Sequence, residues 1–237
     1  RGLEVGGSGA TAYSQAIGVY LAIVIDRLTD YNSTLCTWHV GGPTTGTKGR
    51  NTFSRQALPM TWDFLEVNIL SEQSGSLVNS LDYTTKSIAS LGNSTLKQGA
   101  CFQADAQSQV ISAKKVVSTD PPYYDNIGYA DLSDYFYVWL RKSLRNIFPD
   151  LYATLAVPKT EELVATPYRH GGKEKAEKFF LDGMTAALHN LVEQAHPAFP
   201  VTIYYAFKQS ETKDEAGTTS TGWETFQIGR ASCRERV

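Results

Sequence analysis

Apolar residues recur at helical spacing in four stretches of the chain and alternate with polar ones or cluster in three shorter ones. The first helix is expected from Tyr13 to about Tyr31. Its apolar positions Ile17, Tyr20, Leu21, Val24, Ile25 and Leu28 cover nearly the whole circumference, which predicts burial on most sides. Ser76 to Leu91 reads as an amphipathic helix with Leu77, Leu81, Ile88 and Leu91 on one face and Gly92 as its stop. A third helix, capped by Asp131 or Ser133, runs to about Ile147 with Leu132, Phe136, Trp139, Leu140 and Leu144 inward, and Pro149 ends it. The fourth spans Lys173 to His196, carries Phe179, Phe180, Met184, Leu188 and Leu191 inward, and is broken by Pro197 and Pro200. Three strands are expected: Ala100 to Asp105, Lys115 to Thr119, and the β-branched, aromatic run Val201 to Phe207. Gly41 to Asn51 reads as a surface loop, and Trp62 to Val67 is too short to assign. Thr221 to Glu224 starts a further helix.

Strands alternating with long helices in the second half predict an α/β fold with a largely parallel sheet, preceded by a mainly helical segment over residues 1–99. Composition narrows the functional classes. With 237 residues and 42% hydrophobic content the chain can bury a sizeable core. Its net charge of −2 makes any contact with nucleic acid a local patch rather than a global property. The longest apolar run, Ala16 to Ile25, is too short to span a bilayer, and no signal-peptide pattern opens the chain. Cys36, Cys101 and Cys233 are too far apart for a disulfide framework, which predicts a cytoplasmic protein. Cys101 reads as a small core residue rather than a nucleophile. Cys36 and His39 have half the spacing of a zinc site but no second ligand pair, so no metal is expected. Gly6 to Thr11 precedes a helix, yet no apolar strand leads into it and its spacing matches no phosphate fingerprint. The chain opens on Arg1, and residues 228–237 resemble a translated sequencing adapter, so it is expected to be an internal fragment with an artefactual tail.

The candidate chemistry lies where strands end. In an open α/β sheet, ligands gather at the carboxyl ends of the strands, and the three expected strands end in Asp105, Asp120 and Lys208-Gln209. Asp120-Pro121-Pro122-Tyr123 follows the second. An amino group conjugated to a purine is a poor nucleophile, because its lone pair is delocalised into the ring. A carboxylate and a backbone carbonyl that accept its two N–H bonds draw the lone pair out of conjugation. The two prolines stiffen the turn and remove two N–H donors, and Tyr123 offers a flat face for a base. Read as plain chemistry, the same four residues also make an ordinary turn.

Val117 to Arg141, with Asp120-Pro121-Pro122-Tyr123 followed by Tyr124-Asp125-Asn126-Ile127-Gly128-Tyr129, resembles the large bacterial adenine-specific DNA methyltransferases. Tyr31 to Cys36, Arg55 to Met60, Glu162 to Lys173 and Tyr204 to Glu211 fit the same group, so the resemblance covers about Ala10 to Phe226. It implies a partial Rossmann-like, S-adenosylmethionine-dependent methyltransferase fold, with residues 100–226 as part of the catalytic domain. The implied activity is methylation of the N6 amino group of a flipped-out adenine in DNA, in restriction-modification or phage defence, alongside possible partner proteins. Asp120 and the Pro121 carbonyl would accept the amino hydrogens, Pro122 would hold the turn, Tyr123 would stack on the base, and Asp105 would meet the donor's adenine. For Asp105 a solvated strand-end acid remains open. Tyr124, Asn126 and Tyr129 either shape the base pocket or lead into the next helix. Arg169 and Lys173 flank a glycine turn and are candidate phosphate contacts. The family's glycine-rich donor loop has no counterpart between Arg1 and Val237, so the fragment alone is expected to be inactive. A catalytically inactive DNA-binding remnant, or methylation of RNA, protein glutamine or cytosine N4, are the alternatives.

Overall fold

The computed structural model of the chain describes residues 1–41, 46–91, 99–124 and 127–205. Over these it is a mixed α/β protein of five helices and two two-stranded sheets, one of which is a parallel pair. None of these helices is long and apolar enough to cross a membrane. The chain divides into two compact units, residues 1–97 with 129–159, and residues 98–128 with 160–237.

The first unit is built on α1 (Ala10–Tyr31), which packs against α2 (Leu77–Leu91) and α3 (Tyr129–Leu144). Ala22 sits in a cluster with Tyr137, Leu144 and Tyr152, and Leu140, Ile147 and Phe148 close around it. α1 passes close to Ile147 at Gly18, where a Cβ would stand in ordinary contact at 3.6 Å. Burial on most sides of α1, expected from its composition, is not observed. Only Ala12, Ala22 and Val24 are buried, while Ile17, Tyr20, Leu21, Ile23 and Ile25 are exposed. Two neighbouring helices cover two strips of a cylinder, not its whole circumference. The third helix begins at Tyr129 rather than behind a cap at Asp131 or Ser133, and Asp131 lies in its first turn.

Within the stretch expected to be a loop, Thr47 to Arg50 is a strand. β1 (Thr37–Val40) and β2 (Thr47–Arg50) pair antiparallel, with Thr37 opposite Arg50 and Val40 opposite Thr47. Gly46 holds a φ of 62°, a left-handed conformation that glycine adopts without steric cost. Cys36, next to the ribbon, is fully buried and lies within 3.7 Å of the Thr52 hydroxyl, and that hydroxyl is 2.7 Å from Ser33 Oγ. Thr52 also donates its backbone N–H to the Asp30 carbonyl at 2.7 Å, tying the ribbon to the end of α1.

Asp26, on α1, lines a cavity of about 630 Å³ together with Ile23, Tyr83 and Phe136. Its Oδ1 is buried without a hydrogen-bond partner among the described residues. Burial raises its pKa from 3.8 to about 6. The folded state therefore keeps this proton between about pH 4 and pH 6 while the unfolded chain releases it. Stability falls as pH rises through that window and is level above it. In a fully buried carboxyl such a rise would correspond to about 3 kcal/mol, but half-exposed groups are screened, which leaves about 1 kcal/mol. Asp26→Asn is expected to match the parent in urea unfolding at pH 3.5 and to exceed it by about 1 kcal/mol at pH 7. An identical pH dependence in both proteins would rule out Asp26 as its source.

The second unit is organised by α5 (Lys173–Gln194). Ala176, Phe180, Met184 and Leu188 form one buried stripe at helical spacing, joined by Ala165 and flanked by Tyr124, Leu163 and Ile203. Gly183 lies on this face, and a Cβ there would displace the end of the Leu163 side chain. The short α4 (Pro167–His170) precedes α5 through Gly171 (φ 72°) and Gly172 (φ 128°), with Gly172 N donating to Pro167 O at 2.9 Å. β3 (Ser118–Thr119) and β4 (Thr202–Ile203) pair in parallel.

Two expected strands are thus shorter than their apolar runs, though Phe207 lies outside the described residues. The expected strand Ala100 to Asp105 does not form; Phe102 is exposed there, and no neighbouring strand pairs with it among the described residues. Cys101, expected in the core, is exposed for the same reason. The expected helix at Thr221 and residues 228–237 lie outside the described residues.

Candidate functional site at the end of strand β3

Thr119 ends β3, and Asp120 follows it directly. Parallel pairing with β4 is continued by Tyr204 N, which donates to Thr119 O at 2.8 Å. Both strands therefore deliver their carboxyl ends to the same edge. Asp120 is exposed, and its Oδ1 accepts the Tyr123 hydroxyl at 2.9 Å. Its other oxygen has no partner among the described residues. Pro121 and Pro122 contribute no N–H, so nothing within the turn competes for the carboxylate through those two nitrogens.

Aromatic packing supports the turn. Tyr123 meets Tyr205 edge to face, with ring centres 5.5 Å apart. Tyr124 N donates to the Tyr205 hydroxyl at 3.4 Å, and Tyr124 O accepts from Ala165 N at 2.8 Å. The Tyr124 ring stands edge-on to Phe180 at 5.4 Å, and its hydroxyl donates to Glu177 Oε1 at 2.7 Å. Beside Tyr124 lies a hollow of about 400 Å³, lined also by Val164, Thr166, Tyr168, Lys173 and Glu177. Val164 and Ala165 share its lining with Lys173 and Glu177, a mixture of apolar and polar groups common to small-molecule sites.

The residues singled out in the sequence have different fates. Asp120, Pro121, Pro122 and Tyr123 form the turn at the strand end, and Tyr124 and Lys173 line the adjacent hollow. Arg169 is engaged structurally: its Nη1 lies 2.6 Å from Glu162 Oε2, and both side chains are largely buried. That pairing holds the 162–169 loop and leaves Arg169 poorly placed to meet a phosphate. Lys173 is exposed and lies 3.8 Å from Glu177 Oε1. Tyr129 begins α3 in the first unit and is exposed. Asn126 lies outside the described residues. Asp105 closes its own turn, accepting from Gln107 N at 2.9 Å and from the Ser108 hydroxyl at 3.4 Å.

S-adenosylmethionine, which the resemblance implies, finds no fitted cradle among the described residues. The one acid assigned to it spends both carboxylate oxygens on local turn bonds, and no strand leads into it. Two residues that sequence reasoning did not single out, Tyr205 and Glu177, hold the turn and the hollow. Glu177 lies one helical turn beyond Lys173, and that spacing is its only sequence signal. Comparison with family models, characterised proteins and solved structures finds no match.

Proposed function

We propose that this chain carries the acceptor side of a methyltransferase acting on the N6 amino group of adenine in DNA. The observation that supports it best is Asp120-Pro121-Pro122-Tyr123 at the carboxyl end of a strand in a parallel pair, with the next residue, Tyr124, lining a hollow. In this reading the fold is Rossmann-like and the donor is S-adenosylmethionine. Asp120 accepts one amino hydrogen through its free oxygen, and the Pro121 carbonyl accepts the other. With both hydrogens held, the nitrogen lone pair leaves the ring plane and points outward. Tyr123 stacks on the base, and its hydroxyl keeps the carboxylate oriented. Extruding the base from the duplex costs a few kcal/mol, which these contacts offset.

The alternative reading is a DNA-binding remnant without donor chemistry. One binding experiment bears on the acceptor side directly. The chain is titrated into duplex DNA carrying 2-aminopurine in place of a single adenine, and fluorescence reports unstacking. An increase with the parent chain, lost in Asp120→Ala, is expected. No increase at saturating protein would exclude capture of an extruded base at this turn.

A further inference from the structure

The cleft beside Asp26 joins an apolar wall to a carboxyl group that makes no hydrogen bond or ion pair among the described residues. α2 runs back along α1. Asn32 Nδ2, just past the end of α1, donates to Gly75 O at 3.0 Å, and Arg27 lies over the Tyr83 ring at 4.5 Å. The cleft follows the line between these antiparallel neighbours. Tyr20 and Ile23 of α1 meet Ile88 and Leu91 of α2 at its apolar end, and Asp26, Arg27 and Asp30 make the other end polar.

The three charged groups are not equivalent. Asp30 spends Oδ2 on Asn51 Nδ2 at 2.7 Å and Oδ1 on Phe53 N at 3.0 Å. The Arg27 guanidinium is held against aromatic faces, Tyr83 and, at 5.8 Å, Tyr31. Asp26 alone has no such engagement, and one of its oxygens is sealed from solvent. Two acids against one base leave one negative charge at this end once Asp26 is ionised. A poorly hydrated carboxylate gains more from a cation brought to its open side than a fully hydrated one does.

The apolar end has an equal claim on a ligand. Ile23 and Leu91 are exposed, so an apolar body laid on them would remove their surface from water. A volume of about 630 Å³ lies within the range of small-molecule sites. Tyr20 and Asp26 are six residues apart on α1, about 9 Å along its axis. We propose that this cleft binds a small organic amine, its ammonium group on Asp26 and its apolar body along Tyr20, Ile23, Ile88 and Leu91. A carboxylate in place of the ammonium would meet the net negative charge, and an uncharged head would leave Asp26 unpaired. Every residue of the cleft lies in the first unit, so its occupancy does not depend on the chemistry at Asp120.

The test is isothermal titration with phenylbutylamine, and with phenylbutanol and phenylbutyrate, which carry the same apolar body. It is run at about pH 8, where Asp26 is ionised. The parent chain is expected to bind the amine about tenfold more tightly than the alcohol, and the carboxylate least tightly. Asp26→Asn is expected to keep the alcohol and lose the preference for the amine. Ser87→Trp, on the exposed rim of the cleft, fills it and is expected to abolish binding of all three. Circular dichroism checks the helix content of both variants. Equal binding of amine and alcohol, no binding of the amine, or an amine preference that survives Asp26→Asn would each overturn the proposal. So would amine binding unchanged by Ser87→Trp, which would place the site elsewhere.

Discussion

Replacing Asp120 with alanine is expected to lower the rate of methyl transfer about 10²–10³-fold once this chain is assembled with a donor-binding segment of the proposed methyltransferase type. The magnitude follows from removing one preorganised acceptor from a reacting centre, about 3–4 kcal/mol. Asp120 is exposed and takes no part in either buried cluster, so the loss should come without a fall in stability. Asp120→Asn tests the same idea from the other side. An amide retains one acceptor oxygen but adds N–H donors, which oppose the amino hydrogens it should receive. It is expected to fall between the parent and the alanine variant. A KM that rises while kcat stays constant would assign Asp120 to binding alone.

Phe180→Ala is the substitution expected to damage the second unit most. Phe180 is 1% exposed, anchors the stripe on α5, and supports the Tyr124 ring from below. Truncating a buried phenylalanine costs about 3–5 kcal/mol through lost burial and the cavity left behind. Domains are stable by only about 5–15 kcal/mol, so the urea midpoint should fall by more than about 1 M. Tyr124 would lose its edge-to-face partner, and the turn at Asp120 would loosen with it. Phe180→Leu, which keeps most of the volume, should recover much of the stability. A loss below about 1 kcal/mol for the alanine variant would show that this side chain is not packed at the centre of the unit.

How much of this was legible in the sequence differs by element. The helices α2, α3 and α5 follow apolar residues at three- and four-residue spacing, a local signal that survives in the fold. Strands depend on partners. Ala100 to Asp105 has strand-like composition yet stays irregular, because the ladder that would hold it needs a neighbour. Thr47 to Arg50 has loop-like composition yet pairs with the strand before it. α1 shows the limit of reading burial from composition, since what covers a helix is decided by its neighbours.

The site divides along the same line. Placement of Asp120 at a strand end was readable, since an apolar run precedes it and two prolines follow. The Tyr124–Glu177 bond, spanning 53 residues, and the Tyr124–Tyr205 bond, spanning 81, are tertiary choices with no local trace. Asp105 is a case in which the bonds are local. A short acid followed by a polar turn can satisfy its own backbone, and here it does.

The central claim is that Asp120 and the prolines behind it prepare the amino nitrogen of adenine for methylation. Its most direct measurement is the identity of the product. Duplex DNA is incubated with the assembled enzyme and isotopically labelled S-adenosylmethionine, then digested to nucleosides and resolved by mass spectrometry. The account predicts label in N6-methyladenine with the parent and its loss with Asp120→Ala. Label in N4-methylcytosine instead, or in N6-methyladenine undiminished by Asp120→Ala, would contradict it.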